Sequence, residues 1–398
     1  MSPRSRAIHL AKLTLSNFRN FPDATIEFQP GLTVIQGANG QGKSNLLEAV
    51  FLLSIAKSPR ASSDRSLIGW EVARTGGHAQ ISGYARDAEA TVHAQIDFEV
   101  DAASGDSGSV RKSLRVNGVV RSAAEFVGAI NVVEFAAEDI DLVAGAPLER
   151  RKYLDILISQ ADSAYLRTLQ RFGRVVTQRN HLLRLVRERR AKDDELDFWD
   201  GRLAAEGAAI VDRRRRAVER LLAYAAPAHQ DLAGIGNQLD IEYLARLGDE
   251  IGPAPSGTVR EIAEQIEHAV KALRGRELTQ GVTVVGPHRD DLLLKLNGRP
   301  AGAFASRGQA RTIALALRLA EAEFFEEAAG RKPVLALDDV LSELDSDRRR
   351  RVLLAIQRYD QVLLTTTDYS FVPLEFLNQA RRLTIRSGVI GNASDADG

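Results

Sequence analysis

Residues 37–45 read GANGQGKSN, and this stretch restricts what the chain can fold into more than any other. Gly37, Gly42, Lys43 and Ser44 carry the full G-x4-G-K-S spacing of a phosphate loop. A short apolar run, LTVIQ at 32–36, leads into it as a strand. NLLEAVFLLSIA leads out of it with the length and composition of a largely buried helix. The glycines let consecutive backbone N–H groups turn inward on a phosphate, and the helix presents its positive end. The candidate cradle is Gly37, Ala38, Asn39, Gly40, Gln41, Gly42, Lys43, Ser44 and Asn45. Lys43 reaches the β/γ oxygens and Ser44 offers its hydroxyl to Mg²⁺. The competing reading, a glycine-rich turn capped by Ser44, leaves the complete strand–loop–helix match unexplained.

A nucleotide needs a second set of groups. VLALDD at 334–339 is an apolar strand that ends in two carboxylates. Asp338 is the candidate magnesium partner, and Asp339 the candidate base toward an attacking water. Thirty-two residues before Asp338 stands SRGQ, opening a long helix. Ser306 and Gln309 form a capping box, which satisfies two orphan N–H groups. The same helix end, with Ser306, Gly308 and Gln309, is a further candidate phosphate site. Two phosphate-binding ends in one chain suggest that the second serves a neighbour's nucleotide.

The two sets are far apart in sequence, so the intervening chain must be an insertion. Residues 1–137 read as strands (8–15, 24–28, 32–36, 91–100 and 114–120) around the one helix, with a turn signal at Asn117-Gly118. Over 138–280 strand signals thin out, and Leu166, Leu169, Phe172, Val176, Leu183 and Val186 recur at helical spacing. β/α alternation returns over 281–385 with VTVVG, DLLLKL, a long helix, PVLALDD and QVLLTTTD. The expected architecture is an α/β head split by a helical arm. Residues 386–398 are expected to lack regular structure.

The 53 basic and 53 acidic side chains cancel, so any basic surface must be local. Between 150 and 220, 18 Lys/Arg stand against 11 Asp/Glu. Arg171, Arg174, Arg179, Arg184, Arg187, Arg189, Arg190 and 213–216 could neutralise nucleic-acid phosphates without reading bases. The bland alternative is a solvated helical face laced with ion pairs. A second basic run, 348–351, follows the D-D strand. Cysteine is absent, which excludes a disulfide scaffold and thiolate-bound metal. No run approaches the roughly 18 apolar residues of a membrane span, and a cytoplasmic protein is expected.

Phosphate loop, S-x-G-Q helix, D-D strand and SELD at 342–345, in that order, resemble the head of ABC-type ATPases. The inserted arm resembles the chromosome-maintenance branch that includes the SMC proteins. More closely, NFRNF (17–21), GANGQGKSN, AEDIDLVAGAPLERRKYLD (137–155), GPHRDDL (286–292), ASRGQ and LDDVLSELD are similar to the RecF family of bacterial recombination mediators. The resemblance covers all but the variable arm and the tail. It implies ATP with Mg²⁺, Arg19 among the nucleotide contacts, and an ATP-dependent homodimer that hydrolyses slowly. It also implies binding to single-stranded, double-stranded and gapped DNA, cooperation with RecR and RecO in placing RecA, and a link to the SOS response. Three positions depart from the general ABC pattern. Asp339 stands where glutamate is usual, no glutamine matches that of the glutamine loop (the nearest segment is Glu138-Asp139), and Thr367-Asp368 stands in place of the switch histidine. A transporter ATPase subunit and a non-hydrolysing ATP/DNA scaffold are the competing classes. GPHRDD reads chemically as a turn holding His288 by a hydrogen bond.

Overall fold

The structure is a computed structural model that describes residues 6–86, 90–101, 109–234 and 236–392. It divides into two compact units, with the chain passing between them at Asp139/Ile140 and Ala314/Leu315.

The first unit is built on a six-stranded sheet in the order Val389–Asn392, Arg381–Arg386, Gly31–Gln36, Gln361–Thr366, Val334–Asp338, Val132–Phe135. All its pairings are parallel except the first, which is an antiparallel hairpin. Strands buried on both faces should be apolar throughout, and Val334–Asp338, Gln361–Thr366 and Val132–Phe135 are buried at every position. A second six-stranded sheet, entirely antiparallel, includes His9–Phe18, Phe21–Glu27, Gly77–Arg86 and Thr91–Val100. Helix Lys43–Ile55 packs against strands of both sheets. That explains why, from Leu46 to Ser54, it is buried throughout and apolar apart from Glu48 and Ser54. Leu46, Leu47 and Leu52 are completely buried in it, and truncating any of them to alanine should cost about 2–5 kcal/mol.

The two sheets are also tied by one polar side chain. A register shift between Leu10 and Lys12 interrupts the antiparallel ladder. There Gln361 accepts the Leu10 N–H (2.7 Å) and donates to the Leu10 carbonyl (2.9 Å). Its amide thus replaces a missing strand partner in a place no water reaches. The turn signals are realised: Asn117-Gly118 and Asn297-Gly298 both have positive φ at each residue, as a tight hairpin turn requires.

The second unit holds helices Pro147–Ala161, Ser163–Arg187, Leu196–Ala233 and Val259–Gln280. It is not purely helical. Leu239–Ala245, alternately buried, pairs antiparallel with Asp291–Leu296 at the centre of a four-stranded sheet. This pairing draws residues 281–314 into the arm unit rather than the head. VTVVG forms no strand. Its Thr283 is buried, with the N–H taken by Asn180 Oδ1 (2.7 Å) and the carbonyl by His288 Nε2 (3.1 Å). Side chains, not a ladder, satisfy that backbone. The tail expectation also needs correction: Val389–Asn392 is a strand paired with Arg381–Arg386, and 393–398 lie outside the described residues. Among the described residues, no helix is long and apolar enough to cross a membrane.

Candidate nucleotide site

Gly31–Gln36, Gln361–Thr366 and Val334–Asp338 are parallel neighbours whose carboxyl ends align, Gln36 opposite Thr366 and Asp338 opposite Thr365. The 300-residue separation of the two motifs is thereby cancelled by one intervening strand. The loop leaves Gln36 with the Gly37 N–H on the Thr366 carbonyl (3.1 Å). Gly40 and Gly42 adopt φ 78° and 114°. A Cβ on Gly42 would stand 2.6 Å from Asn20 Nδ2, and one on Gly37 would stand 2.7 Å from the Ile385 carbonyl oxygen. Both glycines are therefore dictated by the space around them, and Gly42 by its dihedral as well.

Helix Lys43–Ile55 starts without a side-chain cap and with no acidic residue in its first turn. Its positive end is left for an external anion. Ala38, Asn39, Gly40 and Ser44 lie at this end of the strand. Lys43 is buried, and its ammonium donates to the carbonyls of Gly37 (2.6 Å) and Ala38 (3.1 Å). Burial pushes its pKa down, while the charges of Asp339 and Asp338 pull it up. The lysine thus lies within electrostatic reach of both carboxylates.

Asp338 is buried, with Oδ1 accepting from Thr365 and Oδ2 lying 3.3 Å from Arg60. Asp339 occupies the left-handed region (φ 50°) at the turn after the strand. Its Oδ1 is buried without a hydrogen-bond partner. Burial pushes its pKa up, Lys43 opposes this and Asp338 adds to it. A buried carboxylate oxygen with no hydrogen-bond partner, on a half-buried residue, suits a proton acceptor. Hard oxygen donors, the Ser44 hydroxyl and the Asp338 carboxylate, suit Mg²⁺, which commonly takes one or two carboxylates and completes its shell with phosphates and water. Among the described residues no cluster of three or more His, Asp or Glu could hold a metal ion alone.

Sequence reasoning missed two residues here. Arg60 places its guanidinium 3.1 Å from Glu134, 3.3 Å from Asp338 and 3.9 Å from Glu138. Glu134 sits on the adjacent strand, opposite Ala336. Burial pushes its pKa up to about 7, against the pull of Arg60. Neither belongs to a local pattern: strand order sets Glu134 beside the Asp338 strand, and Arg60 reaches both from the irregular segment after helix Lys43–Ile55.

The remaining predicted residues fall into distinct places. Arg19 forks onto Glu48 of the phosphate-loop helix with two 2.9 Å hydrogen bonds and donates to the Ser66 carbonyl. Gln41 is held from outside: its side-chain oxygen accepts the Ser387 N–H (2.6 Å) and its carbonyl accepts from Gly388 (3.0 Å) and Asn20 (3.0 Å). Asn45 donates to Asn20 Oδ1 (2.8 Å). Glu138 is exposed, whereas Asp139 accepts the Ala136 N–H and pairs with Arg318 (2.6 Å). Asp368 caps a short turn through Ser370 N–H. In the arm unit, Ser306 and Gln309 form the reciprocal capping box, Ser306 N–H to Gln309 Oε1 (2.8 Å) and Gln309 N–H to Ser306 Oγ (3.3 Å), on the solvent side of the turn.

The arm arginines do not form one basic face. Arg179 is wholly buried on Asp200 and Glu277, and Arg214 on Asp155 and the Pro287 carbonyl. Arg171 pairs with Glu206, Arg213 with Asp162, and Arg215 and Arg216 with Asp212. Arg187, Arg189 and Arg190 reach solvent at the end of helix Ser163–Arg187 and in the turn beyond it. Two of the family-like segments, 137–155 and 286–292, meet here, Arg150 forking onto Asp291 and Arg151 donating to the Asp290 carbonyl. Burial lowers His288 to about 4, so it remains neutral against Thr283.

With this geometry established, similarity to known proteins becomes interpretable. Residues 9–385 match the family model described as the RecF/RecN/SMC N terminal domain. A DNA replication and repair protein RecF of Herpetosiphon aurantiacus is 39% identical over 96% of this chain and 99% of its own. One from Geobacillus thermodenitrificans is 34% identical over 97% and 100%. A solved structure of the recombination mediator protein RecF with ATP, in the RecFOR pathway, superimposes with a TM-score of 0.86. It is 31% identical over 98% of this chain and 99% of that one. An SMC head domain from Pyrococcus furiosus, 17% identical with a TM-score of 0.52, shares the fold. The chain belongs to the RecF family.

Proposed function

We propose that this chain is an ATP-controlled DNA-binding protein of replication and recombinational repair, acting as a switch rather than on DNA chemistry. The observation that carries the reading is the convergence of the Lys43 loop, Asp338 and Asp339 at one end of a parallel sheet, where burial lowers the Lys43 pKa and both carboxylates oppose that shift. Residues 37–45 bind the triphosphate, and Arg19 supports them through Glu48. Ser44 and Asp338 hold Mg²⁺, which neutralises phosphate charge when bound. Asp339 accepts the proton of the attacking water. Its side chain is one methylene shorter than the glutamate usual in ABC-type heads, which favours slow turnover and a long-lived ATP state.

Ser306, Gly308 and Gln309 complete a second protomer's site, so ATP assembles a homodimer. Single-stranded, double-stranded and gapped DNA are the ligands of that dimer. RecR, RecO and RecA are its partners in a cytoplasmic repair reaction, by the likeness to mediators of the RecFOR pathway. Sedimentation with and without ATP and a gapped duplex tests the reading. A shift to dimer requiring both ATP and Ser306 is expected, with Ser306→Arg binding ATP as a monomer. A Ser306→Arg protein that dimerises normally on ATP overturns the shared site.

A further inference from the structure

Thr365 stands on strand Gln361–Thr366, opposite Asp338 in parallel register, and is completely buried. Its hydroxyl donates to Asp338 Oδ1 over 2.9 Å. The same oxygen accepts the backbone N–H of Asp339 over 3.0 Å. Asp339 is held at φ 50°, a left-handed conformation that side-chain-bearing residues adopt at some cost. One hydroxyl therefore fixes the direction of one carboxylate and the backbone turn that aims the next. Arg60, on the other oxygen of Asp338, is directed at the carboxylates of Glu134, Glu138 and Asp338 and so constrains Asp338 alone of the pair.

We propose that Thr365 is a positioning residue for the ATP reaction, setting Mg²⁺ affinity through Asp338 and the aim of Asp339. It rests on the roles given above to those two aspartates. The strand is apolar and buried at Val362, Leu363 and Leu364, so burial alone would be served by a valine at 365. A buried hydroxyl is retained at low cost only where it is hydrogen-bonded; this one also lies 3.3 Å from the Leu337 carbonyl, but its two shorter contacts are to the candidate aspartates. The pair works as an outer-shell support works at metal centres: removing the support leaves the ligand present but free to rotate.

The test is titration of a slowly hydrolysed ATP analogue into the full chain, with and without Mg²⁺, and hydrolysis measured alongside. Thr365→Val keeps the shape and removes the hydroxyl. The Mg²⁺ concentration giving half-maximal binding should rise roughly 10–100-fold, the scale for losing an outer-shell partner. Mg²⁺-free affinity should stay at the parent value, and Thr365→Ser should restore the parent Mg²⁺ dependence. If Thr365→Val does not fold, Thr365→Cys, whose thiol hydrogen-bonds weakly, gives the same reading. A folded Val or Cys variant that titrates like the parent overturns the proposal. So does an equal loss of Mg²⁺-free affinity, or a serine variant that fails to restore. A parent protein whose nucleotide binding ignores Mg²⁺ overturns the assignment of Asp338 itself, a different result from an indifferent Thr365 variant in a Mg²⁺-dependent background.

Discussion

The guanidinium of Arg60 lies 3.3 Å from the carboxylate of Asp338, across 278 residues of sequence. Asp338 is thus faced by an internal cation on one oxygen and by Thr365 on the other. Asp339, one residue on, has a buried oxygen with no hydrogen-bond partner. Adjacent carboxylates in different environments can take different roles, and the proposal gives Asp338 the cation and Asp339 the proton.

Asp339→Asn separates these roles, since it keeps the shape and removes the proton acceptor. Steady-state phosphate release should fall ~100-fold or more, the scale for losing a general base. ATP affinity, carried by Lys43, Ser44 and Asp338, should persist, and the ATP-bound dimer should outlast that of the parent on DNA. Turnover within a few-fold of the parent would direct the search for the base to Glu138, Asp139 or Asp368.

The buried and exposed arm arginines should separate by assay. Arg179→Ala leaves Asp200 and Glu277 as buried charges without that partner, and breaking such pairs costs about 3–5 kcal/mol. Its urea midpoint should drop. Neutralising Arg187, Arg189 and Arg190 should leave the midpoint unchanged and weaken DNA binding regardless of base sequence. It should also flatten the salt dependence by about one logarithmic unit of slope for each DNA phosphate that is no longer neutralised. An unchanged salt slope places the DNA surface elsewhere.

Gly388 connects the end of the described chain to the nucleotide loop. It has φ 78°, its N–H holds the Gln41 carbonyl, and a Cβ there would collide with the backbone oxygen of Asn20. Gly388→Ala should loosen this support and weaken ATP binding about tenfold, matching a left-handed penalty of about 1–2 kcal/mol. The thermal midpoint should fall only slightly. ATP affinity equal to the parent's would reduce the hairpin to a structural edge.

What the sequence discloses follows from how local each signal is. The phosphate loop is legible because one strand, one turn and one helix N-terminus carry its chemistry within a single short stretch. Glu134 and Thr365 escape notice because their importance arises from strand order, which places 132–135, 334–338 and 361–366 side by side, and Arg60 because it reaches them from the irregular segment after helix Lys43–Ile55. The arm's charge excess misleads for a related reason: Arg179 and Arg214 read as surface cations, but their carboxylate partners fold around them. VTVVG has the composition of a strand, yet Asn180 and His288 satisfy its backbone instead. Leu239–Ala245 alternates in the pattern of a half-buried strand, a signal hidden by the long helical stretches on either side.

Lys43 offers the most direct test that nucleotide binding at this loop controls DNA binding. Its ammonium lies inside the loop, on the Gly37 and Ala38 carbonyls, where a phosphate would take those hydrogen bonds over. The measurement is the affinity for a gapped duplex, with and without ATP, of the parent and Lys43→Ala at matched salt. The parent should bind more tightly with ATP. Lys43→Ala should keep its fold and lose roughly ten- to hundredfold in ATP affinity, as expected for one or two charged hydrogen bonds of about 1.5–3 kcal/mol. It should also show no ATP-dependent gain on DNA. A folded Lys43→Ala protein that still tightens on DNA when ATP is added would contradict the account.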